Sequence, residues 1–202
     1  MLLVVENLCY AYSPGKVVLD TVSIEVGDGE IVGLVGPSGC GKSTFLHCIA
    51  GLLVPTSGTI EIEGKNVTRK KPHQRGIGIM MQDQPLYEHL SIEQNIAFPL
   101  QARGEKKPSV LQIIEQLGLT KIAKQKVSSC SGGERRRVAF GRAVVTNPSV
   151  LLLDEPFVSL NEELRERMNA VIVKTDVSTI IVTHDIKEAT ALCDRVIEME
   201  TL

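Results

Sequence analysis

The sequence of 202 residues contains no tryptophan and only 3% aromatic residues, and no apolar stretch in it approaches membrane-spanning length. A helix needs about 20 consecutive apolar residues to cross a bilayer. The N-terminal apolar run has no basic leader and is soon interrupted by Glu6, so we interpret it as a first strand and not as a signal peptide. If the protein works at a membrane, we expect another chain to provide the span.

Paired cysteines are also missing. The five cysteines lie far apart and form no C-x-x-C pair: Cys9, Cys40, Cys48, Cys130 and Cys193. An odd number of widely spaced cysteines disfavours a disulfide framework and a zinc site. It favours reduced thiols in a cytosolic compartment.

The sequence has no excess of positive charge, since 22 Lys and Arg residues stand against 24 Asp and Glu residues, a net charge of −2. This balance offers no electrostatic footprint for nucleic acid. The hydrophobic fraction of 43% and the charged fraction of 23% are ordinary for a globular protein. The length allows one sizeable α/β domain, with or without an inserted subdomain.

Apolar spacing predicts strands that alternate with helices. The first segment alternates as in an antiparallel sheet, and later continuous apolar runs are typical of strands buried on both faces. The predicted strands are residues 2–5, 17–26, 31–35, 59–63, 150–153 and 178–182. The predicted helices are residues 42–53, 162–173 and 185–193, with a mostly helical stretch over 83–145. This alternation implies a parallel sheet with right-handed crossovers.

A phosphate-binding loop is predicted between the strand at 31–35 and the helix that follows it. The segment matches G-x-x-x-x-G-K-[ST] in the required strand–loop–helix context. Its glycines let backbone N–H groups point inward around an anion, and the helix adds its positive dipole end. Lys42 can reach the β- and γ-phosphates, and the Ser43 hydroxyl can coordinate Mg²⁺. The predicted nucleotide-binding residues are Gly36, Pro37, Ser38, Gly39, Cys40, Gly41, Lys42, Ser43 and Thr44.

Two carboxylates, Asp154 and Glu155, follow the buried strand at 150–153. Ligands of open α/β sheets gather at the carboxyl ends of the strands, which brings Asp154 beside the phosphate loop. Adjacent strand residues point in different directions, so the two carboxylates can have different tasks. We predict that Asp154 binds Mg²⁺ and that Glu155 orients and deprotonates the attacking water. These two motifs alone indicate only a P-loop NTPase.

A third motif, Ser131-Gly132-Gly133-Glu134, resembles the LSGGQ signature of ABC transporter ATPases and stands shortly before the acidic pair, as in that family. The resemblance covers essentially the whole chain. It implies a RecA-like α/β P-loop NTPase core with an N-terminal antiparallel β-subdomain and an inserted α-helical signature subdomain. Within a single ABC ATPase domain over 1–202, residues 1–82 and 146–202 would form the core with the β-subdomain, and residues 83–145 the helical subdomain.

Further roles follow from the same resemblance. Tyr12 would stack on adenine, although an ordinary half-buried strand tyrosine remains an alternative. Gln82 would touch Mg²⁺ or the lytic water and sense the membrane partner, against the alternative of a solvated loop amide. His184 would contact the γ-phosphate. The implied catalytic residues are therefore Lys42, Gln82, Glu155 and His184, and the implied metal ligands are Ser43, Gln82 and Asp154.

The signature residues imply a dimer. Ser131, Gly132, Gly133 and Glu134 stand at the start of a helix, where bare N–H groups and a hydroxyl can bind an anion. In the family this anion is the γ-phosphate of ATP held by the opposite subunit. Two identical patches that face each other require two-fold symmetry. The resemblance thus implies a homodimer or paired cassette with ATP and Mg²⁺ at its interface.

The segment over 75–90 resembles ATPases of carbohydrate and inorganic-ion importers. This implies an ATPase subunit at the cytoplasmic face of the cell membrane that works with a transmembrane permease, in systems that can include a periplasmic or extracellular solute-binding protein. Residues 131–138 also resemble lipid or lipopolysaccharide exporters, and a non-transport ABC ATPase is a third alternative. The basic runs at 69–71 and 135–137 are interpreted as solvated faces or nucleotide-side charge, and no nucleic-acid partner is expected.

Three positions depart from the family pattern. Cys130 replaces leucine, a swap for a small apolar side chain. Glu134 replaces glutamine, and we predict that it still caps its helix. Asn161 replaces aspartate and keeps similar hydrogen-bonding reach. Many sugar-importer ATPases continue into a regulatory barrel, whereas this sequence ends soon after Met199, which indicates a short form or a trimmed chain.

Overall fold

The computed structural model describes residues 1–83, 85–104 and 109–200. The strands of this part are β1 (Leu3–Ser13), β2 (Lys16–Val26), β3 (Ile31–Val35), β4 (Ser57–Ile62), β5 (Lys65–Asn66), β6 (Ile77–Met80), β7 (Val150–Asp154), β8 (Ser178–Thr183) and β9 (Arg195–Glu198). The α-helices are α1 (Lys42–Ala50), α2 (Ile92–Ala102), α3 (Ser109–Gln116), α4 (Gly132–Val144), α5 (Glu162–Thr175) and α6 (Ile186–Leu192). None of the described helices is long and apolar enough to span a bilayer.

The N-terminal strands form an antiparallel sheet in the order β2-β1-β4-β5. This agrees with the predicted antiparallel start of the chain, but β1 continues well past residue 5. The β1–β2 pairing shifts register between Val5 and Leu8, and Asn7 has a left-handed φ of 49°. Such an irregularity interrupts the two-residue alternation on which the strand prediction rests, so the sequence pattern ended there although the strand did not.

The second sheet is parallel throughout, in the order β6-β7-β8-β3-β9. Its three central strands, β3, β7 and β8, were all predicted from their apolar runs. The edge strands β6 and β9 were not. Both are only four residues long. Every second residue of β6 is only half-buried, and β9 begins and ends with an exposed charged residue, so neither has the fully buried pattern of a central strand.

The parallel sheet lies between two hydrophobic cores. Val150 and Leu152 of β7 pack into a cluster with α1 and the antiparallel sheet. Leu151 and Leu153 of the same strand pack into the cluster formed with α2, α3, α4 and α5. Successive strand side chains point to opposite faces, and both faces of β7 are buried. This explains why the sequence reads as an unbroken apolar run.

The predicted helical stretch over 83–145 contains α2, α3 and α4, whose apolar faces share one core around Ile96, Leu117 and Phe140. Gln84 and residues 105–108 of that stretch lie outside the described residues. Its division from the rest of the chain at 83 and 145 stays a prediction.

Helix α1, which follows the phosphate loop, ends at Ala50 and not at the predicted residue 53. Gly51 has a left-handed φ of 78° and its N–H donates to the Cys48 carbonyl, which closes the helix. The predicted continuation overlooked this glycine. A Cβ at Gly51 would also lie 2.5 Å from Nε of Arg75, so the same position admits the arginine that binds the end of the helix.

The Arg75 guanidinium is buried and joins α1 to the chain beyond the antiparallel sheet. Its NH1 donates to the Cys48 and Ile49 carbonyls at 2.9 and 2.8 Å. Nε and NH2 donate to the carbonyls of Lys70 and Thr68 at 2.9 and 2.8 Å. Burial lowers the pKa of Arg75 from its ordinary value. The buried cation is tolerated because each nitrogen of its guanidinium group donates to a carbonyl oxygen.

We expect Arg75→Met to destabilise the protein by roughly 3 kcal/mol, since it removes the buried guanidinium that donates to four carbonyl groups, of which the Cys48 carbonyl keeps the Gly51 N–H. Urea unfolding followed by circular dichroism measures the loss. Arg69→Met is the matched control, because Arg69 is exposed and its replacement should change stability by no more than about 0.5 kcal/mol. Equal unfolding midpoints for the two variants would contradict the structural role given to Arg75.

Candidate nucleotide-binding and hydrolysis site

Three strand ends lie side by side in the parallel sheet. Val35 of β3 is paired with Thr183 of β8, and Asp154 of β7 is paired with Val182 of β8. The residues that follow these ends therefore leave the sheet at the same edge. This single register brings the phosphate loop, the acidic pair and His184 together.

The phosphate loop wraps around the Lys42 ammonium group. Lys42 Nζ donates to the carbonyl oxygens of Gly36 and Pro37 at 2.7 and 2.9 Å and lies 3.7 Å from Cys40 Sγ. Gly41, which begins α1, has a φ of 101°, and a Cβ there would lie 2.8 Å from the Val18 carbonyl oxygen. Glycine is thus required for the loop to pass β2.

A cavity of about 380 Å³ lies over this loop. The predicted site residues that line it are Tyr12, Ser38, Gly39, Gly41, Lys42, Ser43, Thr44, Gln82, Asp154 and Glu155. Lys16, Val18 and Val182 also line it and were not predicted. Lys16 and Val18 follow the turn after Tyr12. A basic residue so near the predicted adenine-stacking residue was the sequence signal that could have identified this part of the cavity lining.

Asp154 ends β7 as a buried carboxylate, only 3% exposed. Its Oδ1 has no hydrogen-bond partner within the described protein. Burial raises the pKa of the Asp154 carboxyl, while the nearby Ser43 hydroxyl and Lys42 ammonium oppose that rise. A buried, unpartnered carboxylate oxygen beside a hydroxyl is suited to a hard cation such as Mg²⁺. Gln82 lines the same cavity with an exposed side chain.

Glu155 lines the cavity and forms a polar pair with His184, which is not itself a lining residue. His184 Nδ1 lies 2.8 Å from Glu155 Oε1, whereas Glu155 Oε2 is buried without a partner among the described residues. The hydrogen bond to Glu155 is the main reason that the pKa of His184 is raised above its ordinary value. One oxygen is thus oriented by the histidine, and the other is left for a different donor.

Tyr12 stands at the rim of the cavity with 56% of its surface exposed. Its hydroxyl lies 3.1 Å from Thr44 Oγ1, and its ring packs edge-on against Tyr10 with centroids 5.0 Å apart. Thr44 belongs to α1, so the hydroxyl contact ties the ring to the helix of the phosphate loop. Stacking on a base stays a prediction.

The signature loop (residues 131–134) does not line the cavity of its own chain. Ser131 is exposed and is the N-cap of α4, and the predicted cap by Glu134 is confirmed as a reciprocal capping box. The Ser131 N–H and hydroxyl donate to Glu134 Oε2 at 2.7 and 2.9 Å. These bonds lower the pKa of Glu134. The expectation of a bare Ser131 N–H and hydroxyl is therefore wrong, although Ser131 and Gly132 are exposed.

The basic run after the signature loop is not the solvated face that the sequence suggested. Arg135 forms an ion pair with Glu88 at 2.5 Å. Arg136 donates to the carbonyls of Glu155 and Val158 in the loop after β7. Arg137 is buried, and its NH1 donates to the Leu117 carbonyl at 2.8 Å. Tertiary packing, which a run of like charges does not reveal, gives each arginine a separate partner.

The departure at Asn161 has a local structural role. Asn161 is the N-cap of α5, and its Oδ1 accepts a hydrogen bond from the Leu164 N–H at 3.0 Å. Asparagine and aspartate are about equally good N-caps, so the replacement preserves the start of the helix.

The fold and the site define a class of protein. A parallel sheet with a phosphate loop after one strand and an acidic pair after a nearby strand is the arrangement of a P-loop NTPase. The sequence model described as ABC transporter matches residues 19–158. The chain belongs to the ABC transporter family, which confirms the resemblance and the fold class inferred from the sequence.

Curated relatives include ATP-binding proteins of import systems. The trehalose import ATP-binding protein SugC of Mycobacterium tuberculosis is 40% identical in an alignment of 205 positions, which covers 98% of this chain and 52% of that protein. The sn-glycerol-3-phosphate import ATP-binding protein UgpC of Paracoccus denitrificans is 42% identical, over 92% and 55% of the two chains. The present chain thus spans about half the length of these relatives.

Solved structures give the same fold. The dimeric structure of MJ0796, a bacterial ABC transporter cassette, matches with a TM-score of 0.89 at 28% identity and covers 98% of this chain and 94% of that one. A second MJ0796 structure, a dimeric post-hydrolysis state bound to ADP and Pi, also has a TM-score of 0.89 at 28% identity, with coverage of 99% and 96%.

We expect His184 to take up its proton at a higher pH than an ordinary histidine, because the protonated ring donates to Glu155. NMR titration of the His184 ring measures this pKa. Glu155→Gln should lower it by removing the charge that stabilises the imidazolium. Glu162→Gln, which removes the same charge from the exposed first turn of α5, should leave it unchanged. An identical His184 pKa in the parent and in Glu155→Gln would rule out the pairing.

Proposed function

We propose that this chain is the ATP-binding and ATP-hydrolysing subunit of an ABC importer. The observation that carries the proposal is the grouping of the Lys42 loop, the unpartnered Asp154 oxygen and the Glu155–His184 pair around one cavity. Each group supplies a function that phosphoryl transfer to water requires: anion binding, a metal ligand and an oriented base. The SugC and UgpC relatives are named as import ATP-binding proteins, which supports the assignment.

In the proposed reaction, Lys42 and the backbone N–H groups of the loop bind the β- and γ-phosphates. Lys42 exchanges its present bonds to the loop carbonyls for phosphate oxygens. Glu155 accepts a proton from the attacking water, and His184 contacts the γ-phosphate while it holds Glu155 in place. The products are ADP and phosphate.

The residues that would hold Mg²⁺ are Ser43, Gln82 and Asp154, which supply a hydroxyl, an amide oxygen and a carboxylate. Oxygen ligands of this kind suit the ion. Mg²⁺, when bound, neutralises the charge that develops on the β- and γ-phosphates. The chain's own contribution is to keep one oxygen of Asp154 buried and without a hydrogen-bond partner among the described residues.

The proposed assembly is a two-fold dimer with ATP at its interface. The exposed signature loop of one copy would cover the triphosphate bound by the Lys42 loop of the other. Its exposure, and its absence from its own cavity, support this arrangement. So does the dimeric state named for the MJ0796 cassette. ATP binding closes the dimer, and hydrolysis releases it.

Import at the cytoplasmic face of the membrane requires a permease, and a groove of about 520 Å³ is the surface proposed to receive it. Its lining is mainly apolar and includes Ile77, Leu86, Tyr87, Phe98 and Arg142. The Tyr87 and Phe98 rings are 4.3 Å apart, and the Arg142 guanidinium lies 5.7 Å from the Tyr87 centroid. An apolar groove with a basic wall suits a short amphipathic helix. A periplasmic solute-binding protein would deliver the cargo.

Glu155→Gln tests the hydrolytic part of the proposal. This variant should bind ATP with Mg²⁺ but turn over at least about 100-fold more slowly, because it lacks the base. Dimers should therefore accumulate on a sizing column. Lys42→Ala should lose nucleotide binding or hydrolysis and stay monomeric. If Glu155→Gln is monomeric at saturating ATP and Mg²⁺, the proposed sandwich is wrong for this chain.

Tyr87→Ala tests the permease groove. Removing the ring should abolish co-purification of the membrane subunit from native membranes, while ATP hydrolysis by the isolated chain persists. Leu111→Ala is the matched control, because Leu111 is an exposed apolar residue outside the groove. Retention of the membrane subunit by both variants would exclude the groove as its docking surface.

A further inference from the structure

The loop between β7 and α5, here called the carboxylate loop (residues 155–161), holds an unusual backbone conformation. Glu155 and Ser159 have left-handed φ values of 50° and 62°. A left-handed φ at a residue other than glycine costs on the order of 1–3 kcal/mol of conformational free energy. Such a conformation persists only where the surrounding contacts hold the backbone. The contacts that hold this loop therefore also fix the direction of the Glu155 carboxylate.

One of these contacts comes from the signature helix α4. Arg136 NH1 donates to the Glu155 carbonyl at 3.2 Å and also to the Val158 carbonyl. A planar guanidinium that binds two carbonyls of one loop limits the rotation of the peptide planes between them. Arg136 thus acts on the same residue whose side chain pairs with His184.

The start of α4 also packs against the carboxylate loop. A Cβ on Gly133 would lie 3.6 Å from Leu160 Cδ2, and the Leu160 side chain is buried. Helix α4 therefore meets the carboxylate loop at two places, at Arg136 and beside Gly133.

We propose that Arg136 is a positioning residue for ATP hydrolysis, which holds the backbone of Glu155 so that its carboxylate faces the attacking water. This inference rests on the proposed function. It has a consequence for the dimer, since α4 begins with the signature loop that would cover the ATP of the second copy. Closure on one ATP would then align the carboxylate at the other, and the two sites become coupled through Arg136.

Steady-state kinetics of Arg136→Gln in the 202-residue chain test the proposal. We expect kcat to fall by roughly 10- to 100-fold, the usual cost of a misplaced reacting group. The KM for ATP and ATP-driven dimer formation should stay unchanged, because the phosphate loop is intact. Arg136→Lys, which keeps the charge and can still donate, should recover part of the loss. Arg135→Gln removes the same charge from the preceding residue, which contacts Glu88 and not Glu155, and should retain the parent kcat.

A double-mutant cycle separates positioning from a general structural effect. If Arg136 acts through the Glu155 carboxylate, Arg136→Gln should lower the residual turnover of Glu155→Gln by less than about twofold. An equal loss in both backgrounds, or a parent-like kcat in Arg136→Gln, would overturn the inference. If circular dichroism shows that Arg136→Gln is unfolded, Arg136→Lys replaces it in the same double-mutant cycle with Glu155→Gln, and the same comparison of losses applies.

The ATPase activity of the parent chain distinguishes a failure of the proposed function from a failure of the positioning role alone. Without Mg²⁺-dependent ATPase activity in the parent, the proposed function fails, and the role of Arg136 fails with it. With an active parent that Glu155→Gln stalls, a silent Arg136→Gln removes only the positioning role.

Discussion

The alignment of β7, β8 and β3 is the constraint on which the site depends. These parallel strands are joined in a continuous ladder, so that Asp154 is opposite Val182, and Val35 is opposite Thr183. A parallel ladder has evenly spaced hydrogen bonds, and a slip of one residue reverses the face of every side chain. Because both faces of these strands are packed in hydrophobic cores, the register is fixed by burial. The polar site residues at the strand ends are held by that apolar register.

The charged groups of the site differ in how far the protein satisfies their hydrogen bonds. The Lys42 ammonium is satisfied by two carbonyls of its own loop, whereas Asp154 keeps an oxygen without a partner. Leaving a buried polar atom unpaired costs free energy. Such a cost is recovered when a cation or a donor arrives, which gives the site a physical preference for its loaded state. Glu155 differs, since His184 already holds one of its oxygens.

The three arginines after the signature loop demonstrate how a charge run can be divided among separate tasks. Arg135 pairs with Glu88 in the segment that precedes α2. Arg137 donates a hydrogen bond to the Leu117 carbonyl, just after the end of α3. Arg136 instead reaches the carboxylate loop. Consecutive helical residues point about 100° apart, so one short sequence faces three elements. Helix α4 therefore lies between the apolar groove at Tyr87 and Arg142, the helical core and the carboxylate loop.

The sequence by itself determined the local chemistry. The phosphate loop, the acidic pair and the capping box at Ser131 depend on short-range spacing and residue type, and the central strands depend on continuous apolar runs, so all could be predicted without coordinates. Only the tertiary structure decided the long-range contacts. The edge strands β6 and β9, the bonds from Arg75 to the carbonyls of α1 and the reach of Arg136 join residues that are distant along the chain. Their pairing energy comes from burial and desolvation in the folded state, and neither is present in a local sequence pattern.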